Sequence, residues 1–205
     1  MTIDAKIVKA LRERTGAGIM DCKEALLSAG GDMDKAVEVL RKKGIAKADK
    51  KMGRKAEQGV AISYVHPGNR IGVLVEINCE TDFVAKTDGF IRFARDIAMQ
   101  IAATGPLAIT RDEVDDTIIE REREIYREQA RSMGKPDEIL ERIAEGRMEK
   151  FFQENCLLEQ SFIKDHDKTV QDVLIETIAT LGENIAISRF ARFEVGETAS
   201  PNGQG

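Results

Sequence analysis

The sequence predicts an α+β fold: an N-terminal three-helix bundle, then a core of about three antiparallel strands with helices packed on one face. Three observations carry this expectation. Short apolar-periodic segments separated by glycine turns fill the first 45 or so residues. Alternating apolar runs lie at Gly59–His66, Arg70–Glu80 and Ile185–Val195. The long middle between the second and third runs has helical spacing. Strands at both ends of a helical middle give a sheet with its helices to one side.

The first helix shows Ile3, Ile7, Ala10 and Leu11 on one face, with Asp4 in its first turn. Thr15-Gly16-Ala17-Gly18 breaks it, because glycine favours turn geometries. Ile19, Cys22, Ala25, Leu26 and Ala29 form the second helical face, stopped by Gly30-Gly31. Asp32 caps the third, with Met33, Ala36, Val37, Leu40 and a closing Gly44. The spacing resembles that of ubiquitin-associated-type domains, which bind partners and carry no chemistry. Residues 1–45, from about Thr2 to Gly44, therefore read as a docking module. Ile19 and Met20, beside the glycine turn, are either exposed apolar contacts or residues that close the bundle.

A basic linker, residues 46–58, follows. Arg41, Lys42, Lys43, Lys47, Lys50, Lys51, Arg54 and Lys55 run together with only Asp49 opposing. Such a run either contacts an acidic partner or RNA, or is a solvated, self-repelling connector. It lacks the interleaved aromatics on which bases stack.

Residues 59–197 read as the α+β core. His66-Pro67-Gly68-Asn69 is a turn, so the first two strands form a hairpin. At Asn78-Cys79-Glu80-Thr81-Asp82-Phe83-Val84-Ala85 a strand hands over to helix. Thr81 and Asp82 can accept from the free N–H groups of a starting turn. Phe83 sits in or beside that turn, either held at the surface or anchored in the core. A helix over about Asp88–Ala103 ends at Gly105-Pro106. Thr110 and Glu113 suggest a capping box opening a long charged helix, whose thin stripe is Val114, Ile118, Ile125 and Tyr126. Gly134-Lys135-Pro136 breaks it. A further helix carries Ile139, Leu140, Ile143, Met148, Phe151 and Phe152. Thr169 and Asp172 suggest the cap of the last helix, which Gly182 ends. Residues 198–205 read as a flexible tail.

Composition excludes several function classes. Charged residues are abundant in both signs, with 31 basic and 36 acidic, which does not suggest a dedicated nucleic-acid binder. No apolar run reaches membrane length, and no secretory h-region opens the chain, so a cytoplasmic protein is expected. Cys22, Cys79 and Cys156 are odd in number, without CxxC spacing, and fit buried reduced thiols. His66 and His166 have no nucleophile arranged with them by any sequence rule. Phosphate-binding glycine motifs and metal-ligand spacings are missing, so no cofactor, no metal and no enzymatic activity are expected.

Two long motifs and two shorter ones carry a resemblance. They are Leu11-Arg12-Glu13-Arg14-Thr15-Gly16-Ala17-Gly18-Ile19-Met20-Asp21-Cys22-Lys23 and Glu76-Ile77-Asn78-Cys79-Glu80-Thr81-Asp82-Phe83-Val84-Ala85, with Glu145-Gly146-Arg147-Met148 and Phe193-Glu194-Val195-Gly196-Glu197. Over nearly its whole length the chain resembles the bacterial elongation factor Ts family, the guanine-nucleotide exchange factors of elongation factor Tu. The resemblance implies that Thr81, Asp82, Phe83 and Val84 dislodge Mg²⁺ from the partner GTPase. It implies that Arg12, Ile19, Met20 and Lys23 contact the partner's nucleotide domain, although Ile19 stands where the family pattern has methionine. Longer family members carry two core subdomains; this chain has sheet material for about one. Three strands leave two open edges, so a homodimer is expected. A non-exchanging adaptor and an RNA- or ribosome-binding protein are the alternatives, with no direct nucleic-acid contact expected from the first reading.

Overall fold

A computed structural model describes residues 3–134 and 136–197. Thr2, Lys135 and the tail at 198–205 lie outside the described residues. Among the described residues, eight α-helices and five strands follow in order: α1 (Ala5–Thr15), α2 (Ile19–Ser28), α3 (Met33–Asp49), β1 (Gln58–Val65), β2 (Ile71–Cys79), α4 (Asp82–Ala85), α5 (Asp88–Thr104), α6 (Asp116–Ser132), α7 (Asp137–Asn155), β3 (Ser161–Phe162), β4 (Asp165–Thr169), α8 (Val170–Leu181) and β5 (Ile185–Glu194). The main sheet has the order β1-β2-β5, and β3 and β4 form a separate antiparallel pair. The chain divides into two compact units. One comprises the chain up to Val60 with Glu76–Ala94 and Asp172–Ile187; the other comprises Ala61–Val75, Arg95–Gln171 and the chain from Ser188 on.

The first unit opens with the three helices. Asp4 caps α1 by accepting from the Lys6 N–H, and Asp32 caps α3 by accepting from Asp34 and Lys35. Gly16 ends α1 in the left-handed region at φ 67°, a conformation glycine adopts without steric cost. Val8, Leu11, Cys22, Ala25, Leu26, Ala36 and Leu40 make one small core. The buried face of α1 is Val8 and Leu11, whereas Ile7 and Ala10 face outward. Asp4 as N-cap sets this rotation, bringing positions four and seven after it inward together.

The helix does not stop at Gly44. It continues to Asp49, and a Cβ on Gly44 would meet the Ala179 Cβ of α8 at an ordinary 3.5 Å. Arg41 donates to Asp172 of α8 at 3.0 Å, and Lys51 donates to the Gly182 carbonyl beyond its end. Gly59 answers a different demand. Its φ is 149°, and a Cβ would lie 2.1 Å from the Ile77 carbonyl oxygen of β2. In β2, Val73, Val75, Ile77 and Cys79 are buried in strict alternation, as a strand with one covered face requires.

In the second unit, α6 and α7 form a helical hairpin joined by the Arg127–Glu141 ion pair at 2.6 Å. Arg147 of α7 lies over the Tyr126 ring of α6, 5.8 Å from its centroid. Ile119 and Tyr126 pack on the core of Ala108, Val114, Met148, Phe151 and Cys156, whereas Ile118 and Ile125 are exposed. Helix α6 starts later than the Thr110–Glu113 pattern predicts. Thr110 makes no side-chain cap; Glu113 accepts instead from the Ile109 N–H at 3.1 Å, and residues 111–113 form a 3-10 turn. The cap of α6 is Asp115, which accepts from the Thr117 N–H at 2.8 Å. The β3–β4 hairpin is unforeseen, since Asp165-His166-Asp167-Lys168-Thr169 shows no apolar alternation. It is held by buried Gln100, whose side chain accepts from Ile163 N–H and donates to Gln160 and the Ser161 carbonyl. Among the described residues no helix is long and apolar enough to cross a membrane.

Candidate functional site

The corner after β2 is built by one helical turn. Thr81 has extended backbone angles and accepts the Val84 N–H on its hydroxyl at 3.3 Å, which makes it the N-cap of α4. Asp82 is therefore not the cap. It is the first helical residue, exposed, and its carboxylate pairs with Lys86 at 2.7 Å. The hydrogen bond from Lys86 is the largest cause holding the Asp82 carboxyl below its usual range. Val84 and Ala85 turn inward and are buried. At the far side, the Thr87 hydroxyl donates to the Val84 carbonyl at 2.8 Å and accepts from Phe90 N–H. Thr87 thus closes one helix and opens the next, and Phe90 beyond it is fully buried.

This arrangement leaves Phe83 outside. Its side chain is 78% exposed, which rules out the reading of it as a core anchor. The ring stands in water on a turn fixed at both ends.

The turn is tied to the segment after α8 by two carboxylates. Glu183 accepts from the Thr81 N–H at 3.0 Å and from the Thr81 hydroxyl at 2.6 Å. Glu80 accepts from the Asn184 N–H at 2.6 Å. Arg54 stands 3.6 Å from Glu80, and its carbonyl accepts from the buried Asn184 side chain at 2.7 Å. Behind the turn, the Cys79 thiol donates to the Thr81 carbonyl at 3.1 Å, and burial raises its pKa, with the nearby Glu183 charge adding to the effect. Sequence reasoning misses Glu80, Glu183 and Asn184. The only signal is a polar Glu-Asn pair where a glycine turn before a strand needs no particular polar residues.

The second group of candidates lies on the bundle. Arg12 is on the last turn of α1, and Ile19, Met20 and Lys23 are on the first turns of α2; all four are exposed. Ile19 is 56% and Met20 63% exposed, so neither closes the bundle. They share a compact unit with the Thr81–Val84 turn.

The basic run is largely spoken for. Lys43 pairs with Asp21 and Glu24, and Lys47 with Asp21, at 2.7–2.8 Å. These hydrogen bonds, from Lys43 first, hold the Asp21 carboxyl below its usual value and raise the Lys43 ammonium. Lys55 pairs with Glu57 at 2.7 Å. Within the run the sequence shows only Asp49, because Asp21, Glu24, Glu57, Glu80 and Asp172 lie outside it.

Cys22, Cys79 and Cys156 are buried and unpaired, and burial pushes the Cys156 thiol up to about 11. Among the described residues no group of three or more His, Cys, Asp or Glu is placed to hold a metal.

Comparison with known proteins gives a consistent result. The family profile described as "Elongation factor TS" matches residues 5–197. The chain is 63% identical over 195 residues to an Elongation factor Ts of Carboxydothermus hydrogenoformans, covering 95% of this chain and 90% of that one. It is 60% identical over 195 residues to that of Thermoanaerobacter pseudethanolicus, covering 95% and 96%. The Elongation factor Ts of Fervidobacterium nodosum is 56% identical over 197 residues, covering 96% and 100%.

Proposed function

Because the chain belongs to the elongation factor Ts family, we propose that it acts in the cytoplasm as the nucleotide exchange factor of elongation factor Tu in translation elongation. In this reading it binds the GDP-bound GTPase, displaces Mg²⁺ and releases GDP. Thr81, Asp82, Phe83 and Val84 perturb the metal, and Arg12, Ile19, Met20 and Lys23 dock the bundle. The observation that carries the reading is Phe83, 78% exposed on a capped and tethered turn. Mg²⁺ requires near-ideal octahedral geometry, so a small displacement of the loops around it weakens it strongly. A ring inserted among those loops holds them displaced. Coupling is reciprocal, so the factor loosens nucleotide as much as nucleotide loosens the factor. No covalent step is involved.

Residues 1–45 form the docking module, 46–58 the connector and 59–197 the core that meets the GTPase and a second copy. The internal pairing of the basic run favours a protein partner over nucleic acid. The homodimer is supported by two exposed apolar side chains on neighbouring strands, β2 and β5, of the main sheet. Leu74 lies between buried Val73 and Val75 and is itself 53% exposed, and Phe193 is 73% exposed.

Release of fluorescent GDP from purified elongation factor Tu, with and without the chain, tests the function. Faster release supports exchange. Binding with an unchanged off-rate indicates an adaptor, and salt-sensitive RNA retention without any effect on the GTPase indicates an RNA binder.

A further inference from the structure

Phe83 can act as a wedge only if its turn resists being pushed back. A four-residue helix does not persist by itself, because nucleation costs more than one turn returns. Something outside α4 must fix it. We propose that Glu183 is a positioning residue for exchange: it locks the Thr81 cap, and so sets how rigidly Phe83 is presented. This rests on the exchange reading above.

The geometry supports the assignment in three steps. The Thr81 hydroxyl donates its only proton to Glu183 at 2.6 Å, which aims a lone pair of that oxygen at the Val84 N–H. The other Glu183 oxygen takes the Thr81 N–H at 3.0 Å, so one carboxylate fixes both backbone and rotamer of the cap. Charge-assisted bonds of this kind are the stronger class of hydrogen bond. The reverse tie, Glu80 to the Asn184 N–H, makes the lock reciprocal between two adjacent residue pairs. The base of the lock is firm. Helix α8 buries Leu174 and Ile178, ends at Gly182 with φ 84°, and receives Lys51 on the Gly182 carbonyl. Asn184 is buried and bonded to Arg54. A push on Phe83 is thereby resisted by the end of α8 rather than by one turn of helix.

The test uses the full chain in three variants: Glu183→Ala, Thr81→Val and the double variant. GDP release from elongation factor Tu is titrated with each. If Glu183 acts through Thr81, Glu183→Ala lowers the plateau rate by about tenfold and leaves the half-saturating concentration within about twofold, and the double variant is no slower than Thr81→Val alone. A second readout needs no GTPase. The chain has no tryptophan, so Phe83→Trp places a single reporter on the turn. Adding Glu183→Ala to it should speed the anisotropy decay of that tryptophan. An unchanged plateau, losses that add in the double variant, or a plateau that falls only with the folded fraction overturns the proposal. If the unmodified chain does not accelerate release, the exchange reading fails instead, and the anisotropy decay still decides whether the lock exists.

Discussion

Replacing Phe83 by alanine separates a contact residue from a structural one by magnitude. A buried phenylalanine truncated to alanine costs about 3–5 kcal/mol. Phe83 is 78% exposed, so about a fifth of a transfer energy of roughly 2–3 kcal/mol is at stake, about 0.5 kcal/mol. For a chain of this size that lowers the melting temperature by only about 1–2 °C. The ring's exposed part can contribute about 2 kcal/mol when a partner covers it. That corresponds to a factor of about thirty in rate if the contact forms only as nucleotide leaves. Phe83→Ala should therefore melt almost as the parent does, while its plateau rate of GDP release drops by between about tenfold and thirtyfold. Thermal melts and stopped-flow release on the same preparation decide it. A melting temperature lower by more than about 6 °C, with normal release per folded molecule, would refute the reasoning.

Other substitutions probe the surrounding framework. Gly59→Ala puts a Cβ 2.1 Å from the Ile77 carbonyl at φ 149°, and should cost about 2–5 kcal/mol in denaturant unfolding. Gly44→Ala meets the Ala179 Cβ at an ordinary 3.5 Å within α3, and should instead stabilise by about 0.5–1 kcal/mol. Ile19→Ser with Met20→Ser should raise the half-saturating concentration for GDP release without changing the melting temperature, since both side chains are mostly exposed. The Asp21 carboxyl is held below its usual 3.8 by Lys43 and Lys47. Its contribution is complete above that value and is lost as pH falls through the lower folded value, so Asp21→Asn should flatten the acid limb of the melting curve below about pH 4. Leu74→Glu with Phe193→Glu should reduce the mass measured by light scattering from two chains to one; a parent that is already monomeric at micromolar concentration removes the dimer.

The fold was legible where local chemistry and period agree. The capping aspartates Asp4 and Asp32, the alternation of β2 and the turn at His66–Asn69 all act over a few residues. Reading fails where a residue answers to a distant neighbour. Gly44 has the sequence appearance of a helix stop, but α3 runs through it to Asp49, flanked by Arg41 and Lys51, which bond to α8 and to the carbonyl beyond its end. Thr110 and Glu113 have capping-box spacing, yet Glu113 turns to Ile109 and Asp115 takes over the cap. The charged run from Arg41 to Lys55 looks unopposed only because Asp21, Glu24, Glu80 and Asp172 are invisible from inside it. At the candidate site the same division holds. Thr81 and Phe83 can be named from the strand-to-helix corner, whereas Glu183, about a hundred residues further along, cannot be.

On the exchange reading, one chain accelerates release from a partner without a covalent step. A thousandfold faster release needs only about 4 kcal/mol of preferential binding to the transition state. Phe83 can supply about half of it by burial. The remainder cannot come from docking contacts that persist before and after nucleotide leaves, because such contacts raise affinity without raising the rate. Ile19 and Met20 on the bundle belong to that persistent kind if they touch the same surface throughout. The balance must come from further contacts made only as nucleotide leaves, and Phe83 delivers its own share in full only if none of it goes into bending its support. A turn free to yield would accept the ring's contact and leave the partner's loops where they were. On the exchange reading, a turn held by Glu183 and Glu80 at the end of α8 would make the partner the softer body and direct the displacement to its Mg²⁺ site. Plateau rate and half-saturating concentration are thus expected to respond to different residues of one chain: the first to Phe83, Thr81 and Glu183, the second to Arg12, Ile19, Met20 and Lys23.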